Sequence, residues 1–73
     1  MEHKREFVYR FDEDEGAEER ETDLSGQMRV PKKGEFLSLR QKEWQVVKVT
    51  FDVIMDEDKL VVNVHLTDKY RVS

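Results

Sequence analysis

The sequence predicts an all-β domain, a small and partly open barrel of about five antiparallel strands with an acidic loop after the first. Two runs carry that expectation. Trp44, Val46, Val47, Val49, Phe51, Val53 and Ile54 are the β-branched and aromatic residues that suit a pleated, half-buried surface. Leu60, Val62, Val64 and Leu66 recur at every second position, the period of a strand with one buried face. Asp56-Glu57-Asp58-Lys59 separates the two runs as a turn, so Glu43 to Leu66 reads as one long hairpin. A lone hairpin is marginal in water, so the rest of the chain must pack onto it.

Taken in order, Glu6 to Phe11 is a first strand, with Phe7, Tyr9 and Phe11 on one face. Residues 12–23 follow as a mobile, solvated acidic loop, with Gly16 as its flexible point and no apolar anchor before Leu24. A helix over Glu18 to Leu24 is the weaker reading, because it has no apolar face to bury. Leu24-Ser25-Gly26 re-enters structure, and Gln27 to Val30 forms a short strand with Met28 and Val30 inward. Pro31-Lys32-Lys33-Gly34 is a turn, with Pro at its second position and Gly at the positive-φ position. Glu35 to Leu39 is the next strand, and Arg40-Gln41-Lys42 a tight connection into the long arm. Trp44 and Val46 share one face of that arm, whereas Val47, Val49, Phe51 and Val53 share the other. A bulge near Val46-Val47 would turn both sets inward, placing Val49, Phe51, Val62 and Val64 in the core. Tyr70 and Val72 mark a short last strand or a frayed end.

The length of 73 residues allows one domain with one small core, spanning 1–73. There is no cysteine, hence no disulfide framework and no thiolate metal site, which fits a reducing cytoplasm. Met1-Glu2-His3-Lys4-Arg5-Glu6 has no apolar run after its charges, unlike a signal peptide. No apolar run approaches the roughly 20 residues that span a bilayer, so a cytoplasmic protein without membrane contact is expected. The net charge is −4, unevenly spread: Asp12 to Asp23 carries −7 and Arg29 to Lys48 carries +4.

Few residues suggest chemistry. Asp12, Asp14 and Gly16 imitate the start of an EF-hand loop, but Ala17 stands where that loop turns on Gly, and Asp23 where its bidentate Glu belongs. His3 and His65 have no metal-ligand spacing, and His65 falls on the surface face of its strand with Asn63. Ser25, Ser38 and Ser73 sit in no nucleophile elbow, and the three glycines form no phosphate loop. The paired carboxylates lie in a run too flexible to hold a fixed separation. Neither enzymatic activity nor a cofactor is expected. The most suggestive group is basic: Lys32, Lys33, Arg40 and Lys42, near Phe36 and Trp44, could form the charged face on which small β-barrels bind single-stranded nucleic acid. Trp44, however, opens an apolar face and belongs in the core, and the acidic net charge repels phosphate.

Val30-Pro31-Lys32-Lys33-Gly34-Glu35-Phe36-Leu37-Ser38-Leu39, followed by Trp44-Gln45-Val46-Val47-Lys48-Val49, resembles a pattern of small SH3-like β-barrel proteins of bacteria and phages, some phage head–tail connectors among them. A Pro-x-x-Gly-acid turn leads there into a strand, and an aromatic-x-Val-x-x-Val strand follows a tight turn. The resemblance covers about half the chain, implies a fold, and transfers no catalytic residue. The expected function is therefore a non-enzymatic binding or adaptor module that contacts another protein. Single-stranded nucleic-acid binding through the basic face is the alternative, and a structural part of a phage-like assembly a third reading.

Overall fold

The computed structural model describes residues 4–12, 17–24 and 26–69. The acids at 13–16, Ser25, His3 and the last strand expected at Tyr70 and Val72 lie outside these residues. Five strands form one curled sheet, a partly open barrel: β1 (Lys4–Phe11), β2 (Glu18–Asp23), β3 (Phe36–Leu39), β4 (Lys42–Ile54) and β5 (Lys59–Thr67). Their order across the sheet is β2-β1-β5-β4-β3.

The expectation of purely antiparallel strands is corrected at the centre, where β1 and β5 run parallel with Phe7 opposite Val62 and Phe11 opposite Leu66. Local turn signals reveal hairpins. A parallel pair joins the two ends of the chain and leaves no such mark. The chain makes the β1–β2 hairpin, crosses the open side of the sheet through residues 26–35, and returns by way of β3, β4 and β5 to the far side of β1.

The acidic loop is shorter than expected, because Glu18–Asp23 is a strand paired along β1 from Arg5↔Asp23 to Arg10↔Glu18. What anchors it is charge rather than apolar surface. Arg20 bonds Glu6 at 2.7 Å, Arg10 reaches Glu18 at 3.4 Å, and Arg5 donates to the buried Asp23 carboxylate. Gln27 to Val30 forms no strand, yet Met28 and Val30 do pack inward on the core as the crossing segment passes. The following turn spans Lys32 to Glu35, one residue later than the expected Pro31 to Gly34: Glu35 N–H donates to Lys32 C=O at 3.0 Å, with Gly34 at φ 93° in the third position.

The core lies on the concave face: Phe7, Phe11, Trp44, Val46, Val62, Val64 and Leu66, with Tyr9, Leu37, Leu39, Val49 and Leu60 at its margin. Trp44 is fully buried, donates from Nε1 to the Leu39 carbonyl at 2.9 Å, and meets Phe11 edge-on at 4.7 Å between centroids. The expected bulge is present. Val46 opposes Leu66 and Lys48 opposes His65, so Val47 is the extra residue. After it Val49, Phe51 and Val53 oppose Val64, Val62 and Leu60, on the face of Trp44 and Val46. Phe51 nevertheless does not enter the core, being 55% exposed, as is Val53 at 68%. The residues of the crossing segment that pack on the core, Met28 and Val30, stop short of covering them.

The convex face is a polar lattice. Arg10 donates to Asn63 Oδ1, Asn63 donates to Asp52, and Glu6 takes both Arg20 and Lys59. Val8 and Val61 are buried within it, Val8 flanked across the strands by Arg20 and Asn63.

The β3–β4 turn places Arg40 and Gln41 both at positive φ, 55° and 60°. Such a two-residue hairpin turn favours Asn and Gly, because a side chain in the left-handed region costs about 1–2 kcal/mol. Glycine's own backbone entropy returns about half of that gain. Gln41→Gly should therefore stabilise the domain by about 0.5–1 kcal/mol in a urea melt.

Candidate functional site

The four basic residues picked out by sequence do not converge. Arg40 and Lys42 sit at the β3–β4 turn and are engaged there. Arg40 bonds Glu19 at 3.1 Å and lies 4.0 Å over the Phe11 ring, drawing the turn toward β2 and closing one end of the barrel. Lys42 bonds Asp68 and lies 5.0 Å from the Trp44 ring. A cation–π contact and a carboxylate partner on each leave little charge for a ligand. Lys32 and Lys33 stand at the other end of β3, on the crossing segment, where a third lysine that sequence reading passed over, Lys48, joins them.

Lys32 and Lys33 rim an open groove of about 530 Å³ whose floor is apolar, Val30, Pro31, Val49 and Phe51; Lys48 borders it on the strand edge, its side chain on the convex side opposite His65. Most cations among the described residues are paired with carboxylates, including Arg5 on Asp23, Arg10 on Glu18, Arg20 on Glu6, Arg29 on Glu35 and Lys59 on Glu6. Lys32, Lys33 and Lys48 make no side-chain ion pair among the described residues. They form a local positive rim on a protein of net charge −4.

Beside the groove runs an unpaired strand edge. β3 pairs with β4 only from Lys42 to Gln45, and the Gly34–Glu35 backbone extends the contact by one residue. Val46 turns its N–H and C=O outward, to Glu35 and Gly34 at 2.8 Å each. Peptide direction and side-chain face alternate together in a strand. The residues that share Val46's face past the bulge, Val49, Phe51 and Val53, therefore also turn their peptide groups outward, and these meet no partner among the described residues. Edges of this kind are templates for another strand. The mismatch was readable in outline: a long arm beside a strand of four or five residues must leave much of its edge bare.

Other candidates resolve into structure. Among the described residues no group of three His, Cys, Asp or Glu side chains is placed to hold a metal ion. Of the EF-hand-like residues, Asp14 and Gly16 lie outside the described residues, Asp12 accepts from Thr67, and Asp23 is held by Arg5 and by the amides of Gly26 and Met28. His65 is half-buried on the convex face, where burial, Lys48 and Arg10 push its pKa down. No helix is long and apolar enough to cross a membrane among the described residues.

Asp23 is the pin of the crossing segment. Burial pushes its pKa up, but the Arg5 guanidinium and the Met28 and Gly26 amides outweigh burial and hold it below the usual carboxylate value. Glu35 beside Arg29 and Asp68 beside Lys42 are lowered too. A depressed carboxylate contributes stability above its unfolded pKa of about 4, and that stability is lost as pH falls through the folded value. The domain should therefore lose stability progressively below about pH 4. Asp23→Asn should melt lower at neutral pH and show a shallower acid slope, both read by circular dichroism.

Comparison of the chain with protein families, with curated proteins and with solved structures finds no match.

Proposed function

We propose that this chain is a non-enzymatic, cytoplasmic binding or adaptor module that takes an extended protein segment along the β4 edge. The observation that carries the reading is the bare edge from Lys48 to Ile54, lying beside an apolar groove with a lysine rim. A docked strand gains main-chain hydrogen bonds from Val49, Phe51 and Val53, buries the Phe51 and Val53 side chains, and sets carboxylates near Lys32, Lys33 and Lys48. The resemblance to small SH3-like barrels is in keeping with such a role.

Selection from a displayed peptide library tests it. The expected winners alternate apolar residues, carry an acidic end, and shift the amides of Val49, Phe51 and Val53 in NMR spectra. Peptides that bind only elsewhere would overturn the reading. Single-stranded nucleic acid is the second reading, favoured by the same lysines beside an exposed Phe51. It is supported instead if an oligonucleotide, and no peptide, shifts the groove residues at physiological salt.

A further inference from the structure

We infer that the β4 edge takes a second copy of this chain, β4 against β4 in antiparallel pairing about a two-fold axis near Phe51. The inference rests on the reading of that edge as a protein-binding surface and names its occupant. Charge along the edge points to it. At one end stand Lys32, Lys33 and Lys48; at the other, where β4 runs into the one-turn 3₁₀ helix Met55–Glu57, stand the exposed Asp56 and Glu57. Neither acid makes an ion pair among the described residues, and neither do the three lysines. A two-fold axis reverses the strand, so the basic end of each copy meets the acidic end of the other.

The register follows from the length of the bare edge. Centring the axis on Phe51 pairs Lys48 through Ile54 of both copies in full, with Val49 opposite Val53, Thr50 opposite Asp52 and Phe51 opposite itself. The acids after Ile54 then continue toward the Lys32–Gly34 turn of the other copy, which borders β4 at Val46. The apolar side chains of Val49, Phe51 and Val53, all on one face, meet their counterparts across the axis and extend the two concave cores into one. β2, an outer strand of the same sheet, offers no such match. It carries Glu18, Glu19 and Glu21, and pairing it with itself sets like charges together.

Sedimentation equilibrium on three proteins tests the inference: the wild type, a variant with Lys32, Lys33 and Lys48 all changed to Glu, and a variant with Asp56→Lys and Glu57→Lys. The wild type should dimerise, with an affinity that falls about tenfold or more as salt rises past the level where the Debye length drops below about 10 Å. Each charge variant alone should be monomeric, and an equimolar mixture of the two should recover a heterodimer. All these substitutions are at exposed positions, and dispersed amide spectra verify that the variants fold. A second measurement needs no variant: in a mixed isotope-labelled wild-type sample, contacts should appear between Thr50 of one copy and Asp52 of the other. A wild type that stays monomeric at millimolar concentration overturns the inference. So does a dimer that survives in both charge variants, or one whose intermolecular contacts avoid β4. A monomer whose β4 amides still shift with a selected peptide loses the second copy and keeps the binding surface. A protein that shows neither pairing nor peptide binding at β4 loses both.

Discussion

Trp44→Ala should leave the chain largely unfolded at room temperature. Trp44 is fully buried, stacks edge-on against Phe11 and satisfies the Leu39 carbonyl from its indole N–H. Truncating a buried Trp costs about 3–5 kcal/mol, most of what a domain this small commands. Trp44→Phe keeps most of the volume but drops the hydrogen bond, so its melting temperature should fall between those of the wild type and the alanine variant. Thermal melts followed by circular dichroism decide; an alanine variant that melts with the wild type would mean that the core is centred elsewhere.

Phe51→Glu should do the reverse, leaving the fold nearly intact and abolishing association. The side chain is more than half exposed, so its loss should cost about 1 kcal/mol or less in a urea melt. In the β4–β4 pair the same residue sits at the axis, where two introduced carboxylates face each other in an apolar surrounding. Like charges directly opposite are destabilising, and burying them unpaired is worse. Dimerisation should weaken by at least about a hundredfold, beyond the range of sedimentation at practical concentrations. A Phe51→Glu variant that fails to fold would put Phe51 in the core; one that still dimerises would move the interface away from it.

The contrast between these two aromatics marks how far the sequence could be read. Both lie in one apolar run, and period, turn chemistry and the parity change at Val46-Val47 were enough to place the hairpin and its bulge. They could not tell Trp44 from Phe51, since both end on the same face. What separates them is how far residues 26–35 reach across that face, and that reach depends on Asp23 pinned by Arg5 rather than on any apolar signal. β2 was missed for the same reason: its stability comes from Arg20, Arg10 and Arg5 paired with carboxylates across strands, and hydropathy is blind to that. The parallel β1–β5 pair joins Lys4 to Lys59 and Phe11 to Leu66, a separation that no local pattern encodes.

The candidate site was half legible. Lys32 and Lys33 were singled out for their charge and do rim the groove; Arg40 and Lys42 were singled out for the same reason and are held by Glu19 and Asp68. Lys48 belonged with the first pair, but nothing in its sequence position shows that the Pro31–Gly34 turn comes to lie beside β4.

Amide hydrogen exchange along β4, measured over a range of protein concentrations and with a selected peptide, addresses the docking edge most directly. Thr50 and Asp52 turn their amides toward β5 and should be protected throughout. Val49, Phe51 and Val53 turn theirs outward, so they should exchange fast in dilute protein and slow together as a second copy or the peptide occupies the edge. Amides at Val49, Phe51 and Val53 that exchange equally fast under every condition would contradict the assignment of β4 as the binding surface.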